Sequence, residues 1–389
     1  MRGLVLVTLT AAVAMAQGPA VMTQEGPFFV RTIIAPMTGK APATLRVVSS
    51  GNVVLRGSKN DQVYYKLVQR VRARSKEEAD RLCGQVSTAT VIPPLVSMAT
   101  LTVVPASAPQ VTNDLEVAVP GRVVQTIVLA QTGSVEAYDL EGSVQIAAAT
   151  GVRCDRIRGN VNGHSAGGEI RLGKIGGSVE CSSGGGSIFI ESVAGSALCG
   201  TAGGEIVVKE AGGPLALTNG SGNIQVDRAA SSVEAHTGEG VIEVNQAGGQ
   251  VIADTRGGSI QIGSARGARC ESAAGAIRVR NISGPLTVQS AMGSILAELI
   301  AGARIEDSLL NAVSGDVTVM IPSTLPLSVM AVNDSGANPR IQSDFAELRS
   351  KTFGFSRPPA VAQGQINGGG PLLRINVASG IIYLKKLKQ

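Results

Sequence analysis

From Ser134 to Gly302 the chain repeats one short phrase: apolar and polar residues alternate over a few positions, the run breaks at glycine, and the alternation restarts nine residues later. EIRLGKIGG (169–177), SVECSSGGG (178–186), SIFIESVAG (187–195) and EIVVKEAGG (205–213) show two alternating versions of it. In the first, positions 2 and 4 are usually large and β-branched and position 7 is apolar. In the second, position 4 is usually small and position 6 is usually Ser or Thr. The full repeat is a pair of about 18 residues. Period-two alternation marks a half-buried strand, and such closely spaced glycine breaks leave no room for a helix of ordinary length.

Stacking the pairs turns rows into columns. Position 2 of the first version runs Val135, Val152, Ile170, Ile188, Ile206, Ile224, Ile242, Ile260, Ile277, Ile295, and position 4 runs from Ala137 and Cys154 through Leu172, Ile190 and Val208 to Ala297. A strand this short cannot bury its apolar face alone, so successive copies must stack. The prediction is an all-β fold, a parallel β-solenoid of 18-residue rungs, with equivalent side chains about 4.8 Å apart along the stack. Position 6 of the second version, Ala148, Ser165, Ser183, Thr201, Asn219, Thr237, Thr255, Ser272 and Ser290, is expected to form a ladder at a corner, each side chain bonding its neighbour or a turn amide. The glycine closing each phrase is expected to supply a left-handed turn residue.

The flanks lose this beat. Residues 23–122 read as a β-rich N-terminal capping domain built from FFVRTII, ATLRVV, NVVLRG, QVYYKLVQRV, ATLTVV and NDLEVAVP. One short helix interrupts it, announced by the capping box Ser75-Lys76-Glu77-Glu78 with Ala79, Leu82 and Cys83 as its inner stripe. Residues 134–302 are the solenoid repeats, and 303–389 are terminal rungs and a C-terminal cap, because an open solenoid end exposes unpaired strand edges.

Composition narrows the function. The chain of 389 residues carries 49 Gly, no Trp and 3% aromatic residues. Residues 1–16 read as a signal peptide, with an apolar run from Leu4 to Val13 and the small-residue site Ala14-Met15-Ala16. Export to the periplasm, outer surface or medium is expected, and no later apolar stretch is long enough for a membrane span. The net charge of +5 is mild, and basic residues are not interleaved with stacking aromatics, which argues against nucleic acid.

The columns also test for chemistry. His164 and His236 fall four rungs apart, too far to share a metal, and there is no third His. β-Helix lyases and hydrolases need carboxylates on adjacent rungs. Outward position 5 (Tyr138, Asp155, Gly173, Glu191, Lys209, Asp227) and outward position 3 (Glu136, Arg153, Arg171, Phe189, Val207, Gln225) place no two acids side by side. No catalytic, cofactor or metal site is expected. Cys181 and Cys199 hold equivalent positions one rung apart, within reach of a disulfide, while Cys154 and Cys270 read as small apolar core residues. Phe189 and Val207 are apolar neighbours in a mostly polar outward column, covered by a terminal segment or exposed as a partner contact.

The succession LRVVSSGNVVLRG, a charged helix, NDLEVAVP, TGSVEAYDLEGSVQI, a long run of Gly-Gly-x-Ile-x-Val phrases, SGDVTVMIP and a closing ASGIIYLKK resembles a bacterial domain-of-unknown-function family labelled putative adhesin. The resemblance covers most of the chain. It implies an exported β-solenoid that interacts at a surface, and it offers no catalytic residues. The chain departs from the family's usual Gly-Asp turns, with Gly315-Asp316-Val317 the one close match. Together these readings favour a non-enzymatic exported adhesin or scaffold binding an envelope protein or glycan. A carbohydrate-active β-helix enzyme, lyase or hydrolase, is the alternative, and an envelope-stress component that binds another periplasmic protein is a third.

Overall fold

The computed structural model describes residues 12–14, 20–37, 39–84, 86–92, 97–104, 110–300, 305–335, 340–348, 350–351 and 359–387. The chain forms two compact units, Met1–Gly184 and Gly185–Gln389. Both are built of stacked parallel strands, as the column pattern requires. Of the expected signal segment, only Ala12–Ala14 lies among the described residues.

The N-terminal unit contains β1 (Ala12–Ala14), β2 (Ala20–Glu25), β3 (Phe28–Pro36), β4 (Thr44–Ser49), β5 (Asn52–Ser58), β6 (Tyr64–Arg72), α1 (Lys76–Gly84), β7 (Ser87–Ile92), β8 (Met98–Val104), β9 (Val111–Pro120), β10 (Gln125–Ala130), β11 (Ser134–Tyr138), β12 (Ser143–Ala148), β13 (Gly151–Asp155), β14 (Val161–Ser165), β15 (Ile170–Ile175) and β16 (Val179–Ser183). They pair as two sheets. One runs β1, β7, β8, β4, β10, β12, β14, β16. The other runs β2, β3, β6, β9, β5, β11, β13, β15. A rung is one strand from each sheet, and its alternate residues bury inward: Leu115, Val53, Val135, Val152 and Ile170 form one file, each at most 2% exposed.

Sequence order and stacking order differ here. The rung β4–β5 lies between β8–β9 on one side and β10–β11 on the other, paired in parallel with both. Within the expected cap 23–122, this rung thus shares register with the repeats. Beyond it the ladder turns antiparallel at β6, β3 and β2 in one sheet and at β7 and β1 in the other. Helix α1 begins with Ser75 Oγ accepting from the Glu78 amide at 3.2 Å, as an N-cap should, while Glu78 Oε2 reaches one residue past the cap and accepts from the Arg74 amide at 2.8 Å. Its buried Ala79 and Cys83 pack against Phe29 and Val71.

The C-terminal unit continues the phrases from β17 (Ile188–Val193) to β29 (Ile295–Leu299), followed by β30 (Ser308–Ser314), β31 (Val317–Pro322), β32 (Leu327–Asn333), β33 (Arg340–Ser343), β34 (Ser350–Lys351), β35 (Ala360–Ile366), β36 (Leu372–Ser379) and β37 (Ile381–Leu387). Ile188, Ile206, Ile224, Ile242, Ile260, Ile277 and Ile295 pair in one file, which Val317 and Ile382 extend. The stacking order is again permuted. The last rung, β36–β37, inserts between β30–β31 and β32–β33, and β35 closes the far side of β32 antiparallel.

Of the two corner expectations, the ladder bonds a turn amide rather than its neighbours, and the glycine expectation is revised. Thr201, Asn219, Thr237, Thr255, Ser272 and Ser290 are buried. They do not bond one another; each reaches the carbonyl of the glycine closing the previous rung, as in Thr201 Oγ1 to Gly186 O at 2.8 Å and Thr255 Oγ1 to Gly240 O at 3.1 Å. The turn amide three residues on donates back, as Gly258 does to Thr255 at 3.1 Å. The glycines themselves are not left-handed: among the described residues, positive φ at glycine occurs at Gly26, Gly39, Gly315, Gly368, Gly369 and Gly380, all outside the repeats. Their constraint is room, since a Cβ on Gly258 would sit 1.9 Å from the carbonyl oxygen of Gly240.

Candidate functional site

The permuted rung creates a cleft. After Pro120 the chain must bypass β5 before it can start β10, a climb of two strand spacings, about 10 Å, where an ordinary corner climbs one. The bypass is a turn closed by the Val123 amide donating to Pro120 O at 3.0 Å. Beside it opens a cleft of about 210 Å³ lined by Gly57–Lys59, Val119–Gly121, Val123, Thr126 and Asp139–Gly142. That volume lies below the roughly 300 Å³ at which drug-sized pockets begin, and suits one sugar ring or one side chain.

The facing corner is tight. Val135 pairs with Val152, a spacing of 17 residues also seen between Asp139 and Arg156, and Asp139 adopts φ 59° to make the turn. Gly57 must be glycine, because its Cβ would meet the Asp139 carbonyl oxygen at 1.8 Å.

Charge at the cleft is largely committed. Arg156 grips Asp139 through Nη2 to Oδ2 at 3.0 Å and Nε to Oδ1 at 2.5 Å, and also engages Asp155 through Nη1. The hydrogen bonds from Arg156 hold the Asp139 carboxyl below its ordinary range. Arg158 Nη1 donates to Glu141 Oε2 at 2.6 Å. Lys59, on the rim and exposed, has no ion pair among the described residues. Thr126 is 2% exposed, lines the cleft, and makes no side-chain hydrogen bond to another described residue. The cleft therefore offers a hydroxyl, a cation, main-chain groups and two neutralised carboxylates. Such a set can hold a small polar group, whereas a general acid needs a carboxyl held protonated near neutral pH, the reverse of what Arg156 does to Asp139.

Sequence columns pointed elsewhere. Phe189 and Val207 are register partners on the outward face of β17 and β19 (Ile206–Ala211), both half-buried. More exposed apolar side chains lie on β2, β3 and β6: Val21 61%, Ile34 57%, Phe28 45% and Tyr64 38%. Cys181 in the N-terminal unit and Cys199 in the C-terminal unit each point into a buried interior. Cys154 and Cys270 are core residues, and burial pushes the Cys154 thiol up to about 12. His164 Nδ1 meets Ser182 Oγ at 2.8 Å. His236 lies 3.0 Å from Glu234 and 4.0 Å from Asp254. Among the described residues, no group of three or more His, Cys, Asp or Glu is placed to hold a metal ion, and no helix is long and apolar enough to cross a membrane. The acids of the cleft lie outside the outward columns because they sit on a corner. The 17-residue spacing from Val135 to Val152 recurs from Ile260 to Ile277, so repeat length carried no signal for the cleft.

The family model for Toastrack DUF4097 matches residues 47–340. Among curated proteins no match was found. Two solved structures are similar to this chain. One is described as a "putative cell adhesion protein" from Clostridium sporogenes, 8% identical, with 92% of this chain and 100% of that chain covered and a TM-score of 0.20. The other is described as a "putative lipid binding protein" from Parabacteroides distasonis, 15% identical, with 75% and 97% covered and a TM-score of 0.23.

Proposed function

We propose that this chain, which belongs to the Toastrack DUF4097 family, is a non-enzymatic binding protein of the bacterial cell envelope. On this reading it is exported and holds a small polar group of a protein or glycan partner in the corner cleft. The observation that carries the proposal is the combination lining that cleft: buried Thr126 without a side-chain partner among the described residues, rim Lys59, and carboxylates already committed to arginine. A binding site profits from groups fixed before the ligand arrives; a hydrolase would need Asp139 or Glu141 free to carry a proton. Phe189 and Val207, register partners in the C-terminal unit, form a separate partner contact on this reading.

The test uses the full chain and Gly121→Phe, at an exposed position on the cleft wall. On a glycan array and in pull-down from envelope extract, the parent chain should retain a partner and Gly121→Phe should lose it. Retention unchanged by the variant would remove the cleft from the account. Release of reducing ends from a polysaccharide panel would replace binding by hydrolysis or lyase action.

A further inference from the structure

We propose that the outward face of β2, β3 and β6 is a docking surface for an anionic lipid bilayer. The antiparallel register decides which side chains share that face. Phe28 lies opposite Arg72, Val30 opposite Arg70, Thr32 opposite Val68, Ile34 opposite Lys66 and Pro36 opposite Tyr64, while Val21 on β2 lies opposite Thr32. The other face of β3 carries Phe29, Ile33 and Ala35, all buried, with Phe29 under helix α1. β3 thus has apolar side chains on both faces: the inner one is covered, and on the outer one Val30 is buried between its neighbours while Phe28 and Ile34 on either side of it stay exposed. Phe28, Ile34 and Val21 remain 45%, 57% and 61% exposed.

Chemistry beside this apolar row selects the occupant. β6 places Lys66, Arg70 and Arg72 directly alongside it. Lys66 and Arg72 have no ion pair among the described residues, and Arg70 reaches Asp114 only at 3.8 Å. The acids on the next strand, β9, are engaged from its far side, Asp114 by Asn52 at 2.9 Å and Glu116 by Arg56 at 3.2 Å. The result is a set of exposed apolar side chains flanked on β6 by Lys66 and Arg72, with Arg70 shared with Asp114, and on β2 by one acid, Glu25 opposite Phe28. Protein–protein contacts favour Arg but are depleted in Lys at their centre, so of the three cations Lys66 beside Ile34 is the one that speaks for a lipid surface. A bilayer surface uses both kinds of side chain together: apolar and aromatic side chains enter the headgroup boundary while Lys and Arg stems lie along it and reach phosphate. Tyr64, 38% exposed at the edge of the patch, suits the interfacial zone. This surface is independent of the corner cleft and of whatever partner the cleft holds.

Flotation of the full chain with phosphatidylcholine vesicles, with and without phosphatidylglycerol, tests the proposal. Association should require phosphatidylglycerol and fall as salt rises. Two double variants should each weaken it about ten-fold or more: Phe28→Ser with Ile34→Ser, and Lys66→Glu with Arg72→Glu. Gly121→Phe should leave it intact. Thermal unfolding of the variants verifies that these surface changes spare the fold. Equal association with both vesicle types, or association indifferent to the double variants, overturns the proposal. So does a chain that ignores vesicles but self-associates in sedimentation through Phe28 and Ile34, which would make the face a contact between copies.

Discussion

Thr237 donates from Oγ1 to the main-chain oxygen of Gly222 at 2.8 Å, reaching the carbonyl that closes the previous rung. Thr237 Oγ1 itself accepts from the amide of Gly240 at 3.3 Å. One hydroxyl therefore satisfies two main-chain groups at a corner where the strand ladder has stopped. Thr237→Val keeps the shape and deletes both bonds, leaving the buried Gly240 amide unmatched. A loss of about 1–3 kcal/mol is expected in chemical denaturation, with Thr237→Ser costing well under half of that. Equal costs for Val and Ser would deny the hydroxyl this role.

The glycines below such hydroxyls are held by space. On Gly240 a Cβ would stand 2.1 Å from the carbonyl oxygen of Gly222, and main chain cannot yield as the end of a side chain can. Gly240→Ala should cost about 2 kcal/mol or more through forced separation of rungs. Gly185, where a Cβ would meet nothing within 4 Å, should accept Ala within about 0.5 kcal/mol. A left-handed requirement predicts no such dependence on what lies above or below, so the two denaturation midpoints separate the accounts.

Legibility followed the repeats. The Ile188 and Ile190 files needed only the period, and the same period located the corner hydroxyls. It could not say whether their partners were side chains or main chain, because both readings place the column at a turn. The end rungs were harder. Ser50-Gly51-Asn52-Val53 and Ser379-Gly380-Ile381-Ile382 carry the same corner signature as Thr132-Gly133-Ser134-Val135. Each occurs once, however, and stacking order between segments distant in sequence leaves no periodic trace. The cleft at Asp139 follows from that order, so it was hidden for the same reason.

Cys154 gives a pH prediction. Burial in the core raises its thiol from an ordinary 9.0 to about 12. Above pH 9 the unfolded chain releases a proton that the folded chain retains, so the native state binds more protons and loses stability as pH rises. The contribution is fully present below about pH 9 and should decline by about 1.4 kcal/mol per pH unit above it until near pH 12. Cys154→Ala should be less stable at neutral pH, from the lost volume, yet show a shallower alkaline decline. Parallel declines in the two chains would place the titration elsewhere.

Phe189 and Val207 present a contact test. They are register neighbours and half-buried, so a charge at Phe189 stays partly in water. With the pair as a partner contact of the C-terminal unit, Phe189→Asp should reduce retention of an envelope partner about ten-fold while lowering stability by less than about 1 kcal/mol. The opposite pattern, intact retention with a large loss of stability, would mean that the pair is packed for the fold alone.

The inserted last rung reverses an ordinary expectation about chain ends. In a solenoid stacked in chain order, β37 would be the fraying edge and β33 would lie inside it. Here Ile382 on β37 is fully buried, paired with Val317 on one side and Ile341 on the other. The rung is pinned like the others: Asn333 Nδ2 donates to Gly380 O at 2.9 Å, and Asp316 Oδ1 accepts from the Ile381 amide at 2.8 Å. Ile341 on β33 is only half-buried. Ile382→Ala should therefore cost about 2–5 kcal/mol and Ile341→Ala about 1 kcal/mol, with amides of β37 exchanging more slowly than those of β33. A chain that frays first at its final strand would show the reverse order in both measurements, and would require that rung to lie at the edge of the stack.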